Sequence, residues 1–167
     1  LGKKDFEEIS KYGREFVLQV TGKVRSRGEK DKSGLIGGIY MDYKEKLIEA
    51  GKSMLHSGLT VETWGNISLR DPKTGLIYLT PSGMPYDTIV PEDVVVMDPD
   101  GNVVEGFRKP TIEYLMHIGI MKKRPEVNAI IHTHPVYSQV FALLHEDIPP
   151  VIDEAAQTFG ESVKVSE

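Results

Sequence analysis

The stretch Asn128-Ala-Ile-Ile-His132-Thr-His134-Pro135 carries the sharpest chemical signal in the chain. Residues i and i+2 of a strand face the same side, so His132 and His134 can present two imidazoles to one ion. Neutral imidazole is the commonest side-chain metal ligand, and zinc suits it. The apolar run Ala129-Ile130-Ile131 predicts a strand anchored in the core, and Pro135 predicts its end, so the pair sits where a strand stops. Two histidines that simply hydrogen-bond to each other are the other reading of the same spacing. Glu113 and His117 stand at i and i+4 and share one face of a helix. A carboxylate near a histidine pair can supply a third ligand or a general base. Taken alone, the two could equally form an ordinary surface ion pair.

Two polar turns add donors. Trp64-Gly65-Asn66-Ile67-Ser68 places an amide and a hydroxyl beside a glycine. Thr80-Pro81-Ser82-Gly83 follows an apolar run and offers hydroxyls and backbone N–H groups, which can cradle a phosphate or serve only as turn chemistry. Lys109-Pro110-Thr111 puts a cation and a hydroxyl at a helix start, a natural anion position.

These residues need elements to hold them. A helix is expected over 43–57, opened by Asp42 with Glu45 three residues on and stopped at Gly58. Its inner face carries Leu47, Ala50, Gly51, Met54 and Leu55, while His56 near its end reads as structural. Short strands are expected at 61–69, 76–80 and 93–97, with turns at Asp71-Pro72, Pro85-Tyr86-Asp87 and Asp100-Gly101. A helix over 110–123, a strand over 127–133 and a helix over 135–144 follow. A short strand near Ile148, a helix over 153–159 and the start of a strand at Ser162 complete the pattern. Mixed order of this kind indicates an α/β or α+β layer fold. Ahead of it, residues 4–21 have helical apolar spacing, and 22–38 form a Gly-rich basic connector containing Lys23, Arg25, Arg27, Lys30 and Lys32.

Composition narrows the partners. A chain of 167 residues is long enough for one domain with a real core. Net charge of −5 gives no general pull toward nucleic acid or an anionic membrane, and no apolar run approaches a membrane span. There is no cysteine, so any transition metal must be held by His, Asp or Glu. Absence of cysteine fits a reducing, cytoplasmic setting. The start at Leu1 and the stop after Glu167 read as those of a fragment.

Four motifs in one order resemble the class II aldolase/adducin family, especially L-fuculose-phosphate aldolase and L-ribulose-5-phosphate 4-epimerase. They are the Gly65-Asn66-x-Ser68 turn, the Thr80-Pro81-x-Gly83 turn, the Lys109-Pro110-x-x-Glu113 helix start and His132-x-His134. The resemblance covers about residues 43–167. It implies a three-layer α/β/α sandwich around a mostly antiparallel sheet, with residues 1–40 as an N-terminal helical extension and basic linker. The aldolase-like domain would occupy 41–167 and continue beyond Glu167. It also implies a homotetramer with sites between subunits, acting on a small phosphorylated sugar with zinc (Zn2+) or another divalent metal.

By the same resemblance, His132 and His134 are two of three metal histidines, the third lying beyond Glu167. Glu113 matches the acidic residue that acts as acid/base and can bind the metal when the site is empty. Asn66, Ser82, Gly83 and Thr111 match the phosphate pocket, and His117 supports or packs. The chain departs from the pattern at three places: Ile112 stands where a second hydroxyl is usual, Asp153 where the aldolase carries a catalytic tyrosine, and Ala156 near the epimerase's aspartate. The reaction expected is zinc-dependent aldol cleavage. An epimerase, dehydratase or decarboxylase on the same scaffold, or a non-catalytic adducin-like scaffold, are the alternatives.

Overall fold

The computed structural model describes residues 42–165. The helix expected over 4–21 and the connector over 22–38 lie outside the described residues. Helix α1 runs Tyr43–His56 and buries Leu47, Gly51 and Met54, the face that its apolar spacing marks out. Asp42 stands at its N-cap without a side-chain cap bond; the Asp42 carbonyl instead accepts from the Lys46 N–H at 3.0 Å. The capping box expected from Asp42 and Glu45 therefore does not form through the Asp42 side chain.

Five strands follow: β1 Asn66–Arg70, β2 Ile77–Leu79, β3 Val95–Met97, β4 Val103–Glu105 and β5 Ala129–His132. They form one sheet in the order β4-β3-β2-β1-β5, and every neighbouring pair is antiparallel. The first four strands make a meander. Helix α2, Tyr114–Lys123, then crosses a face of the sheet and returns the chain to the open side of β1, where β5 pairs Asn66 with His132 and Ser68 with Ile130. Helices α3, Val136–Leu144, and α4, Asp153–Phe159, come after, with Ile148 bridged to Val163.

Each face of the sheet carries a helix. Leu47 and Met54 of α1 pack with Ile67, Tyr86, Ile89 and Val94 on one side. Ile118 and Met121 of α2 pack with Ile77, Leu79, Val95 and Met97 on the other. This is the α/β/α layering expected. No helix among the described residues is long and apolar enough to cross a membrane.

Three departures from expectation have local reasons. The segment 61–65 is a turn, because Glu62 and Gly65 have φ of 52° and 73°, incompatible with a strand. Helix α2 starts at Tyr114 instead of residue 110, because Pro110 is held extended in a bridge to Pro81. Strand β4 lies where no strand was expected. All three of its residues are exposed, so it lacks the alternation that marks a half-buried strand.

Candidate functional site

Strand β1 places Asn66, Ser68 and Arg70 on the face that looks toward α2, because alternate residues share a side. The start of β1 is drawn tightly against the end of β5 at Gly65. A Cβ there would sit 2.6 Å from the His132 carbonyl oxygen, and the residue's φ is 73°, so the position accepts only glycine without strain. The turn before it is tied down twice. The Thr60 hydroxyl donates to the Trp64 carbonyl at 2.7 Å, and the Tyr86 hydroxyl donates to the Gly65 carbonyl, also at 2.7 Å. Burial, and after it the charge of Glu113, push the Tyr86 hydroxyl well above the ordinary tyrosine value, so it stays a neutral donor. Tyr86 is in turn fixed by α1, where a Cβ on Gly51 would come within 2.7 Å of its ring.

His132 ends β5 and His134 follows two residues later, its backbone N–H bound to the Leu59 carbonyl at 3.2 Å. The two imidazoles converge: Nε2 of His132 lies 2.8 Å from Nε2 of His134. On its other nitrogen, Nδ1, His132 has the Glu113 carboxylate at 3.6 Å. A carboxylate on that side favours a proton on Nδ1, which leaves the Nε2 lone pair directed toward His134. Trp64 stands edge-on to His134 with ring centroids 5.5 Å apart.

Glu113 occupies the N-cap of α2. Its carboxylate accepts from the Asn66 side-chain N–H at 2.5 Å. Asn66 in turn offers its carbonyl oxygen to Nε2 of His117 at 2.5 Å, and Nδ1 of His117 meets the Ser68 hydroxyl at 2.6 Å. Glu113 and His117, four residues apart on one helix face, are thus joined through an asparagine of the sheet. His117 is 0% exposed, and burial drives its imidazole down to about 3, so it is neutral. The sequence assigned His117 only support or packing, and its bond to Ser68 had no local signal.

A cavity of about 570 Å³ opens beside this cluster and is lined by Asn66, Ser82, Gly83, Thr111, Glu113 and His134 among others. Two segments build one of its walls. The Ser82 N–H donates to the Lys109 carbonyl at 2.9 Å and the Thr111 N–H to the Thr80 carbonyl at 3.1 Å, which sets the 80–83 turn alongside Lys109-Pro110-Thr111. Ile112 lines the same wall and is 79% exposed. Asn66, Ser82, Gly83, Thr111, Glu113 and His134 thus line one cavity, and His132 adjoins it through His134 and Glu113, whereas Lys109 is not among the lining residues. Asn66 differs from the others, since both ends of its amide are engaged within the protein.

The donor set suits a divalent ion in kind. Two imidazole nitrogens meet at the cavity edge, and tetrahedral ligands at zinc distances lie roughly 3.3 Å apart, so the pair need open by only about half an ångström. Among the described residues no group of three His, Asp or Glu side chains is placed to hold an ion. Glu113 faces the opposite nitrogen of His132 from the one that meets His134.

The family described as Class II Aldolase and Adducin N-terminal domain matches residues 45–167. The chain is 44% identical over 108 residues to a 5-deoxy-D-ribulose 1-phosphate aldolase of Bacillus thuringiensis serovar kurstaki, which covers 65% of this chain and 51% of that protein. It is 34% identical over 106 residues to the L-ribulose-5-phosphate 4-epimerase UlaF of Salmonella paratyphi B, covering 64% of this chain and 46% of the relative. Among solved structures, an L-fuculose 1-phosphate aldolase superposes with a TM-score of 0.62 at 41% identity, over 70% of this chain and 54% of that one. The chain spans about half the length of the curated relatives it matches.

Proposed function

The chain belongs to the class II aldolase and adducin family, and from that premise we propose that it carries the larger part of an active site for metal-dependent aldol cleavage of a small sugar phosphate. The observation that carries this reading is the position of Glu113. Its carboxylate is oriented by Asn66, faces His132, and lines the same cavity as Ser82, Gly83 and Thr111.

His132 and His134 would hold the ion, zinc or another divalent metal, through the two nitrogens that already converge. Bound there, such an ion supplies Lewis-acid polarisation of substrate oxygens, which stabilises the negative charge developed when the C–C bond breaks. Glu113 would reach the ion directly only by leaving Asn66; in the geometry described it orients His132 and faces the cavity. In cleavage, the substrate hydroxyl would give up its O–H proton to solvent as its carbon becomes the aldehyde carbonyl, and the electron pair of the broken C–C bond would pass to the ketone-phosphate fragment. Glu113 is the group placed to exchange a proton with that fragment's carbon. The phosphate would lie against Ser82, Gly83 and Thr111, with Lys109 nearby in sequence to add charge. The Ile112 side chain offers no donor there.

A second reading has its own support, the similarity to an L-ribulose-5-phosphate 4-epimerase. Both reactions use the same bond, broken for good in one and re-formed in the other. The test is product analysis on the zinc-loaded protein with a ketose 1-phosphate and with a pentulose 5-phosphate. Release of free aldehyde and ketone phosphate supports the aldolase reading; an epimer with no net cleavage replaces it with the epimerase. A protein that takes up no divalent metal and converts neither substrate belongs with the scaffold members.

Assembly as a homotetramer is part of the same proposal. Helix α3 exposes Val136, Tyr137, Leu143 and Leu144, with Tyr137 85% exposed, an apolar surface suited to being covered. Light scattering on the complete protein tests it, and a monomer would remove this part of the reading.

A further inference from the structure

We propose that His117 is a positioning residue: its buried imidazole, held between Ser68 and Asn66 as the Nε2–H tautomer, fixes the Asn66 amide so that its NH2 group is delivered to Glu113. The proposal rests on the reading of Glu113 given above and extends it to a residue that touches neither the cavity nor the proposed ligands' converging nitrogens.

The assignment of every proton along the chain follows from donor and acceptor types. A carboxylate only accepts, so Asn66 must turn its NH2 toward Glu113, 2.5 Å away. Its carbonyl oxygen then faces His117 and can also only accept, so Nε2 of His117 must carry the proton across the 2.5 Å contact. The imidazole is neutral, so Nδ1 has a lone pair, and the Ser68 hydroxyl must donate to it at 2.6 Å. All three bonds run one way, from Ser68 through His117 and Asn66 to Glu113. Bonds aligned head to tail polarise one another in a low-dielectric interior. The opposite Asn66 rotamer would set N–H against N–H at His117 and oxygen against oxygen at Glu113.

Packing alone would not need this residue. His117 is surrounded on α2 by the buried Met116, Ile118, Ile120 and Met121, and an apolar side chain there would avoid the cost of burying two ring nitrogens. The imidazole matches the two acceptor and donor positions that Asn66 and Ser68 present from alternate residues of β1, with none of its polar atoms left over.

Two variants and one spectroscopic measurement on the full chain test the proposal. His117→Leu keeps the bulk and removes both bonds. His117→Gln keeps an amide N–H at the reach of Nε2 and a carbonyl that can accept from Ser68. With the zinc-loaded protein and a substrate that the wild type converts, kcat of folded His117→Leu should fall about 10- to 150-fold, while KM stays within about threefold. His117→Gln should recover most of that loss. In the metal-free protein, nitrogen NMR should place the His117 proton on Nε2, and the Asn66 NH2 protons should exchange slowly in the wild type and His117→Gln but fast in His117→Leu. A proton on Nδ1, unchanged Asn66 exchange in His117→Leu, or wild-type kcat in that variant would each overturn the proposal. The tautomer is read on the wild type, so it decides the question even if His117→Leu does not fold. A wild-type protein that converts no sugar phosphate would sink the reaction proposed for the site, while tautomer and exchange would still judge the positioning role.

Discussion

Strand β1 lies between two unlike environments. Ile67 and Leu69 turn toward α1 and join Leu47, Met54, Tyr86, Ile89 and Val94 in a mainly apolar contact. Asn66 and Ser68, one residue out of step, turn toward α2 and meet His117, Glu113 and the end of β5. On the first face, attraction scales with area and has no preferred direction, so one apolar side chain can stand in for another of similar size. On the second face each polar atom has a named partner, and deleting one atom leaves the next buried and unpaired. Undirected apolar contact and directed polar contact are thus divided between the two sides of these five residues.

The largest expected effect falls on the polar side. Glu113→Gln keeps the size of the side chain at the start of α2 and should leave the fold intact, while turnover drops about 10²- to 10⁴-fold, the usual worth of a positioned acid/base group. Steady-state assay of the zinc-loaded variant, with circular dichroism to verify folding, measures it. Wild-type-like turnover would take Glu113 out of the mechanism. The opposite side should behave in the opposite way. Leu47 is 0% exposed in the α1 cluster, and Leu47→Ala should cost about 2–5 kcal/mol in urea unfolding, with kcat per folded molecule within about twofold of wild type. Comparable losses of kcat from Leu47→Ala and Glu113→Gln would show that the two faces are not separable.

The apolar side was legible in the sequence and the polar side only partly so. Leu47, Gly51 and Met54 recur at helical spacing, and Asp153–Phe159 came out as a helix with the expected bounds. His132 and His134 were linked by a spacing of two, which a strand end converts directly into convergence. The relay had no such local signature. His117 is 49 residues from Ser68 and 51 from Asn66, so their meeting depends on α2 crossing the sheet before β5 returns beside β1. A histidine set among Met and Ile residues was the one available hint, and it does not name its partners. The grouping of Ser82, Gly83 and Thr111 came from motif order, and the physical cause is the bridge between Pro81 and Pro110, which the spacing of either segment alone does not reveal.

Acid provides a milder probe of the polar side. His117 has an ordinary value of 6.5 when unfolded and about 3 when buried, so the folded protein refuses a proton that the unfolded chain accepts between those values. Its contribution is fully present above about pH 6.5 and is lost as pH falls toward 3, with a slope near 1.4 kcal/mol per pH unit. Urea unfolding in chelator at pH 7 and pH 5 should therefore show a steeper loss for the wild type than for His117→Gln. Parallel curves would mean that folded His117 takes up a proton as readily as the unfolded chain does, against the neutral tautomer that bonds Asn66 and Ser68.

The smallest expected effect concerns the cavity wall, where neither rule of β1 applies. Ile112 lies one residue before Glu113, is 79% exposed, and lines the cavity with Ser82, Gly83 and Thr111. It supports no packed core, so replacing it should cost little stability. A serine would restore a hydroxyl beside the backbone N–H groups at the start of α2. An exposed serine is not pre-organised, and a net hydrogen bond gained in that setting contributes about 0.5–1.5 kcal/mol. Ile112→Ser should therefore tighten binding of a phosphorylated sugar by about 2- to 12-fold, with Tm of the ligand-free protein unchanged within about a degree. Calorimetric titration of the zinc-loaded protein with inorganic phosphate and with a sugar phosphate measures the binding, and scanning calorimetry without ligand measures the Tm. Because the gain comes from one donor, it should appear for both ligands and vanish for the unphosphorylated sugar. A gain for the unphosphorylated sugar would place the sugar, and not its phosphate, against this wall. No gain for any ligand would move the phosphate away from Ser82 and Thr111 altogether.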